Sequence, residues 1–504
     1  MKLNDRNAVS EKLLTERVNK KIVPPFPVLH FGVGAFHRAH QAWAMQNMNG
    51  QGFEDWGITG VCVLPSDKPF VEMLREQDGL YFVQSFSPDG NRNATLVNTI
   101  KEIFHVEDDY TTIINRIASP ETKVISFTIT EGGYNIDYNN HVFIWETPTV
   151  QQDLGRKGTP KTVFRILAEG LKKRMETGGG DIVLMSCDNI QHNSDILKFA
   201  LMEFLKRFDT TIISWIAQHV SFVKTMVDRI TPAASQVQKD DFSKASGFED
   251  NCLVVCEDFF QWVMQQDPRL AGLPYEQMGV TLVEDVEPYE KMKLRLLNGG
   301  HSLIGLLGYA MGYDRIHTSI RDELISTVYQ RYCLEEVIPT LDTIENVRYI
   351  DYVQKLVDRF SNPMINDSTL RIISGSTDKL PKFVVPVILD SLERNHAQVK
   401  WGVLILAAWY YYLDAEFKKN QMQDVSDLNR LLLLKRFQQP GFGAKVFISQ
   451  MPVLSDLNGH DVVQKLFVRY VEKLSLADRS AKRDFIQQLV AEETNGSSSH
   501  LLKF

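Results

Sequence analysis

The chain has 504 residues, too many for one ordinary hydrophobic core, so two large domains are expected. It is 44% hydrophobic and 23% charged with a formal net charge of −8, which places it among soluble globular proteins and argues against a nucleic-acid partner. Five cysteines over this length exclude a disulfide framework, and Cys252-x-x-x-Cys256 lacks a second ligand pair, so it reads as packing and no metal is expected.

The opening, Met1-Lys2-Leu3-Asn4-Asp5-Arg6, is polar and carries no apolar run of the signal-peptide kind, so a cytoplasmic, reduced protein is expected. Residues 1–25 read as a polar helical lead-in ended by Pro24 and Pro25. Pro27 to Phe31 reads as a short buried strand. It runs into Gly32-Val33-Gly34-Ala35-Phe36-His37-Arg38-Ala39-His40 and then a helical pattern. Strand, glycine turn and helix is the context that a dinucleotide-binding fingerprint requires. Gly32 allows the tight turn, and Gly34 lets the backbone approach a pyrophosphate at the helix N-terminus. The third fingerprint position holds His37 instead of Gly. His37 and His40 also invite a metal reading, which no further ligand supports.

Further β-branched apolar runs follow. Trp56 to Leu64 ends near Ser66-Asp67, Lys123 to Thr130 ends in Glu131-Gly132-Gly133-Tyr134, and Asp181 to Met185 ends in Ser186-Cys187-Asp188-Asn189. Helical patterns such as Thr162 to Thr177 and Ser194 to Arg207 separate them. Alternating strands and helices indicate a parallel sheet wound with helices, whose strand carboxyl ends bind ligands. Glu131, Asp188 and Asn189 occupy such ends; each also reads as a helix cap, and for Asp188 taken alone the cap is the stronger reading. After about residue 288 the alternation fades. Apolar-periodic segments 291–312, 319–339, 345–360, 384–394, 400–419, 425–437 and 460–475 predict a mostly helical second domain. The expected division is therefore an α/β Rossmann-like domain over 1–287 and a helical domain over 288–504. The longest apolar run, Trp401 to Leu413, falls short of the roughly 20 residues a membrane span needs, so it reads as a buried helix. The tail, Asn495 to His500, is expected to be mobile.

The stretch Glu290-Lys291-Met292-Lys293-Leu294-Arg295-Leu296-Leu297-Asn298-Gly299-Gly300-His301 carries the most chemistry. On an α-helix Lys293, Asn298 and His301 would lie at roughly 0°, 140° and 80°, so one face could hold all three. An amine base, an amide donor and a hydroxyl-orienting imidazole suit proton abstraction from an alcohol. The Gly299-Gly300 pair costs about 1 kcal/mol per residue relative to Ala, which predicts a close approach to the backbone there. Tyr289 and Lys293 also form a Tyr-x-x-x-Lys spacing of the kind short-chain dehydrogenases use, but such a pair arises often by chance.

Together, the glycine motif Gly32 to Gln41, Thr130-Glu131-Gly132-Gly133-Tyr134, Ser186-Cys187-Asp188-Asn189, Met226-Val227-Asp228-Arg229-Ile230-Thr231-Pro232 and Lys293-x4-Asn298-x2-His301-Ser302 resemble the mannitol dehydrogenase family, in the right order over nearly the whole chain. These are polyol-specific long-chain dehydrogenases, which include fructuronate and tagaturonate reductases. The resemblance implies NAD as cofactor, with contacts at Gly32, Gly34, Phe36, Arg38, Asp67 and Glu131, and no metal. It implies Lys293 as general base, Asn189 and Asn298 as an oxyanion hole, and Glu290 as the link passing the proton to solvent. It implies His301 as the group that orients a substrate hydroxyl, and Asp228, Arg371 and Lys379 as polyol contacts. An ammonium cannot accept the alcohol proton, so the base requires a depressed pKa, which burial beside a cationic nicotinamide would provide.

One departure stands out. Where mannitol enzymes often carry an acidic pair after the second strand, this chain reads Pro65-Ser66-Asp67, with a single carboxylate to favour NAD over NADP. The expected activity is interconversion of a sugar alcohol and its ketose, D-mannitol and D-fructose best, in a cleft between the domains. Hexuronate reduction, D-fructuronate to D-mannonate, is the alternative. The partner is then a small polyol or sugar acid, with no nucleic acid and no membrane. A binding module without turnover would have lost the base or the amides, and all are present.

Overall fold

The computed structural model describes residues 2–3, 27–48, 56–138, 140–394, 399–427, 429–476 and 478–492. The predicted helical lead-in, apart from Lys2 and Leu3, and the predicted mobile tail lie outside the described residues. The chain divides into two compact units. One comprises Met1–Ser87 and Asn91–Glu287, the other Pro88–Gly90 and Pro288–Phe504.

The first unit is built on a six-stranded sheet of β1 (Val28–Phe31), β2 (Ile58–Cys62), β3 (Ile100–His105), β4 (Val124–Phe127), β5 (Ile182–Ser186) and β6 (Val220–Phe222). Neighbours run β6-β5-β4-β1-β2-β3, and every pair is parallel. Read from the other edge this is 3-2-1-4-5-6, the doubly wound order whose crossover point lies beside β1. Both faces are covered, so the strands are apolar on both sides. Val28 and Val124 enter one core cluster, while Leu29, Phe31, Ile125 and Phe127 enter the other. Helices Val163–Glu176 and Asn193–Phe208 pack their buried stripes on the second face.

β1, β2 and β4 fall within their predicted runs, and β5 starts inside its run and ends one residue beyond it, at Ser186. β3 went unpredicted because Ile100-Lys101-Glu102-Ile103-Phe104-His105 is an edge strand with polar residues among its apolar ones. Two three-stranded sheets were also not predicted. One joins Tyr81–Phe86, Arg92–Val97 and Val254–Glu257; the other joins Thr225–Asp228, Gln261–Gln265 and Val280–Val283. Their pairings span up to about 170 residues of sequence, and local periodicity does not report such partners.

The second unit is helical around one core cluster. Helix Lys400–Lys418 runs through it with residues 401–410 all buried, as the apolar run predicted. Val399 offers this helix no side-chain cap. Glu336 supplies one from another segment, accepting from the Trp401 and Gly402 N–H groups at 2.7 and 2.8 Å. Burial pushes that carboxyl up to about 8. The predicted helix over 319–339 is interrupted at Asp322, whose carboxylate caps a new helix, Glu323–Arg331, at Leu324 and Ile325. Its continuation, Tyr332–Val337, is a π-helical turn.

The close approach expected at Gly299-Gly300 is made by protein. A Cβ on Gly300 would stand 2.3 Å from the Tyr329 ring, and one on Gly299 would stand 3.1 Å from the Tyr332 hydroxyl. The glycines let two neighbouring segments pack against the backbone of the helix that carries the candidate base. Among the described residues no helix is long and apolar enough to cross a membrane.

Candidate active site

The first unit contributes a cavity of about 540 Å³ at the carboxyl ends of β1, β2 and β4. Gly32, Gly34 and Arg38 line it from the first turn, Ser66 and Asp67 from the second, and Thr128, Ile129, Thr130, Gly132 and Gly133 from the third, with Glu131 and Phe36 outside the lining. Gly32 sits at φ +90°, and a Cβ there would stand 2.1 Å from the Thr128 carbonyl oxygen. No other residue type fits that crossing. Gly34 has ordinary extended backbone and caps helix Ala35–Ala39. The nearest atom to a Cβ on Gly34 is 4.0 Å away, so its missing side chain leaves space for a ligand.

The His at the third fingerprint position has a structural explanation. The ring of His37 stacks on that of His30 with centroids 3.4 Å apart and planes 15° apart. His30 is held by the Ser126 hydroxyl at 2.7 Å and the Thr128 hydroxyl at 2.9 Å. The close helix–strand packing that a third glycine permits is made here by two flat imidazoles. Burial lowers His30 to about 3 and His37 well below the ordinary histidine range, so both rings are neutral. Nothing in the sequence pattern signalled His30. Among the described residues no group of three or more His, Cys, Asp or Glu side chains could hold a metal ion.

Arg38 is largely buried. Its guanidinium donates to the Cys252 carbonyl and lies over the rings of Phe70 and Tyr81 at 4.7 and 5.3 Å. Phe36 stacks on His40 at 5.0 Å. Asp67 is partly buried, which raises its carboxyl, and accepts from the Leu64 N–H at 3.3 Å. Glu131 is exposed, on the short helix Thr130–Gly133.

Asn189 is exposed at the end of the β5 segment, and Asp228 is buried at the end of strand Thr225–Asp228. Asn193, which sequence reasoning passed over, ties these two segments together. Its amide donates to the Asp188 carbonyl at 3.2 Å and to the Thr225 carbonyl at 2.8 Å. Asp188 does not cap the helix that follows it. Its carboxylate reaches back to the turn after β4, accepting from Ile129 N–H at 3.0 Å, Thr130 N–H at 2.8 Å and the Tyr134 hydroxyl at 2.6 Å. Burial pushes Asp188 up to about 6.

The second unit holds Glu290, Lys293, Asn298 and His301 on one run, but not on the continuous α-helix expected. Residues Lys293–Asn298 form a π-helical turn between α-helices Glu287–Met292 and Gly299–Ala310. Gly299 N–H bonds to the Leu294 carbonyl, five residues back. The offset of roughly 140° computed for Lys293 and Asn298 therefore does not apply. In i→i+5 geometry each turn holds more residues than in an α-helix, so two residues five apart lie at a smaller offset. Glu290 and Lys293 are buried, and Asn298 is half-buried.

His301 packs on the Phe360 ring at 4.2 Å. Burial first, then the nearby cations of Arg371, Arg359 and Lys379, lower it to about 3 against the opposing pull of Asp367, so it is neutral. The structure thus brings Arg371 and Lys379 into the surroundings of His301. Arg371 is ion-paired to Asp367 through two hydrogen bonds, and Lys379 donates to the Ile372 carbonyl at 2.9 Å. The Tyr289 hydroxyl is raised by burial and Glu345, the opposite of what a Tyr-Lys catalytic pair needs.

A family model described as the mannitol dehydrogenase Rossmann domain matches residues 27–276, and its C-terminal domain counterpart matches 285–475. The chain belongs to the mannitol dehydrogenase family. A Mannitol 2-dehydrogenase of Phaeosphaeria nodorum is 33% identical over 497 residues, covering 98% of this chain and 85% of the relative. Among solved structures, the Pseudomonas fluorescens mannitol 2-dehydrogenase ternary complex with NAD and D-mannitol superposes with a TM-score of 0.83 at 30% identity, covering 98% of this chain and all of that one. A substrate-free D-sorbitol dehydrogenase superposes at 0.77 with 28% identity, covering 91% and 95%.

The two loop glycines separate folding from binding. Gly32→Ala is expected to lose roughly 2 kcal/mol of stability or more, from its positive φ and the overlap with Thr128. Gly34→Ala is expected to keep the wild-type unfolding temperature while weakening dinucleotide binding, because its methyl enters open cavity. Thermal unfolding and a dinucleotide titration on both variants check this. Equal unfolding temperatures for the two variants would contradict the assignment of Gly32.

Proposed function

We propose that this family member oxidises a sugar alcohol, or reduces the matching ketose, with Lys293 as its general base. The enzyme is an NAD-dependent polyol oxidoreductase. The observation that supports this choice of base is the π-helical turn Lys293–Asn298, whose wider turn lowers the angular offset between the amine and the amide on the same run as His301. Bound NAD supplies hydride acceptor chemistry for the carbinol carbon. Gly32, Gly34, Phe36, Arg38, Asp67 and Glu131 would hold it, and a roomy cavity with open space at Gly34 fits a dinucleotide.

Every other step belongs to side chains. Lys293, neutral before the reaction, takes the hydroxyl proton as the carbinol becomes a carbonyl. Asn189 and Asn298 donate to the developing alkoxide, and amides do this without changing charge. Buried Glu290, one helical turn before Lys293, passes the proton toward solvent. Neutral His301, with Asp228, Arg371 and Lys379, orients the remaining hydroxyls.

Lys293→Ala is expected to bind NADH nearly as the wild type does but to lose at least about a hundredfold in turnover, the lower end for acid–base groups. Alcohol oxidation by the wild type should rise with pH as Lys293 deprotonates, and a chelator should leave it unchanged. Retained turnover in Lys293→Ala, or inactivation by the chelator, would sink this mechanism.

Asp67 in the cavity wall leads to a cofactor preference. A carboxylate there repels a 2′-phosphate, so efficiency with NADH should exceed that with NADPH by roughly ten- to a hundredfold. Steady-state kinetics with both cofactors decides it, and equal efficiencies would remove the role assigned to Asp67.

D-fructose is the favoured ketone and D-fructuronate the alternative. Asp367 already engages Arg371, and His301 is neutral, so these two groups offer little net positive charge to a substrate carboxylate. Asp228, if ionised, adds repulsion. The specificity constant for D-fructose with NADH is expected to exceed that for D-fructuronate at equal pH and ionic strength. A tenfold preference for fructuronate, about 1.4 kcal/mol in transition-state binding, would replace the polyol assignment with the uronate one.

A further inference from the structure

The Asp188 carboxylate is spent on the wrong loop for a cap of its own helix. It follows β5, yet its three donors lie on the turn after β4: Ile129 N–H, Thr130 N–H and the Tyr134 hydroxyl. That turn is poorly able to hold itself. The helix Thr130–Gly133 has four residues, and Ile129 at its N-cap has no side chain that can accept its first N–H groups. Thr130 stands at φ +60°, a region that β-branched residues avoid. Gly133 is pressed on Ile129, where a Cβ would meet the Ile129 Cβ at 2.9 Å. The same turn forms one wall of the cofactor cavity through Ile129, Thr130, Gly132 and Gly133.

We infer that Asp188 is a positioning residue for the cofactor: by accepting both backbone N–H groups at the start of the 129–134 turn, it holds Thr130 in its left-handed conformation and keeps that wall of the dinucleotide cavity in place. A carboxylate has an acceptor oxygen for each N–H. An Asn at 188 has one oxygen and would turn its NH2 on the other donor, so the same size and shape leaves one backbone N–H facing a donor. The Tyr134 hydroxyl, shared with Ser186 Oγ at 2.7 Å, closes the clamp on its buried side.

The inference rests on the NAD reading of the cavity, and a double-mutant cycle tests it apart from that reading. NADH dissociation constants are measured for the wild type, D188N, T130G and the double variant, with unfolding temperatures alongside. D188N is expected to weaken NADH binding by about tenfold, the loss of one charge-assisted hydrogen bond. Glycine adopts positive φ without strain, so in the T130G background the D188N penalty should shrink to about threefold or less. A general packing defect would lower the unfolding temperature of both D188N proteins and leave the penalty undiminished. If D188N does not accumulate as folded protein, Tyr134→Phe in the two backgrounds carries the same cycle, with a smaller expected shift of about two- to threefold. An NADH affinity unchanged by the substitution, or a penalty equal in the wild-type and T130G backgrounds, overturns the inference alone. A wild type that does not bind NADH overturns the cofactor reading with it.

Discussion

The first unit depends on one backbone crossing. Gly32 passes so near the Thr128 carbonyl that a single methyl group would overlap it. The crossing joins the carboxyl ends of β1 and β4, the central strands of the sheet, and the cavity opens at the same ends. Around it the polar side chains are used twice, once to hold a loop and once to shape the cavity. Thr128 donates to the Gly32 carbonyl at 2.6 Å and bonds to His30, while His30 carries the ring of His37. Buried groups of this kind stay neutral because water is excluded, and they trade hydrogen bonds where charges would be costly.

The second unit solves a different problem. The candidate base Lys293 and the Asn298 amide are five residues apart, an offset of roughly 140° on an α-helix. One π-helical turn between them makes that offset smaller. The adjoining glycines then admit Tyr329 and Tyr332, so the distorted turn is locked by tight packing. Tyr332 itself begins the second π-helical turn, Tyr332–Val337, which carries Glu336 to the start of the central helix. The second irregular turn thus sets its Tyr332 against the glycine that follows the first.

Much of this was legible in the sequence. The strand–glycine–helix motif, the polar residues at strand ends and the change to helical periodicity after about 288 are local patterns, set by side-chain alternation and by residues that only certain backbone conformations accept. The family was legible for the same reason, since its motifs are short, ordered and rich in residues with few substitutes. Edge strand β3 and the two small sheets were not legible, because their stability comes from partners far along the chain. The direction in which Asp188 bonds was equally hidden, since a strand-end Asp followed by a helix has the same local appearance whether it caps that helix or a neighbouring turn.

The sequence by itself determined which chemical groups are present and the order of strands and helices that carries them: an amine, two amides, an imidazole and a glycine turn after the first strand. Tertiary structure alone decided how those groups are presented. It made Lys293–Asn298 π-helical, replaced the third fingerprint glycine with a His37–His30 stack, paired Arg371 with Asp367 and turned Asp188 toward Thr130. The physical reason is that residue type sets local propensity and chemistry, whereas helical phase, charge state and hydrogen-bond direction depend on what distant segments pack against each residue.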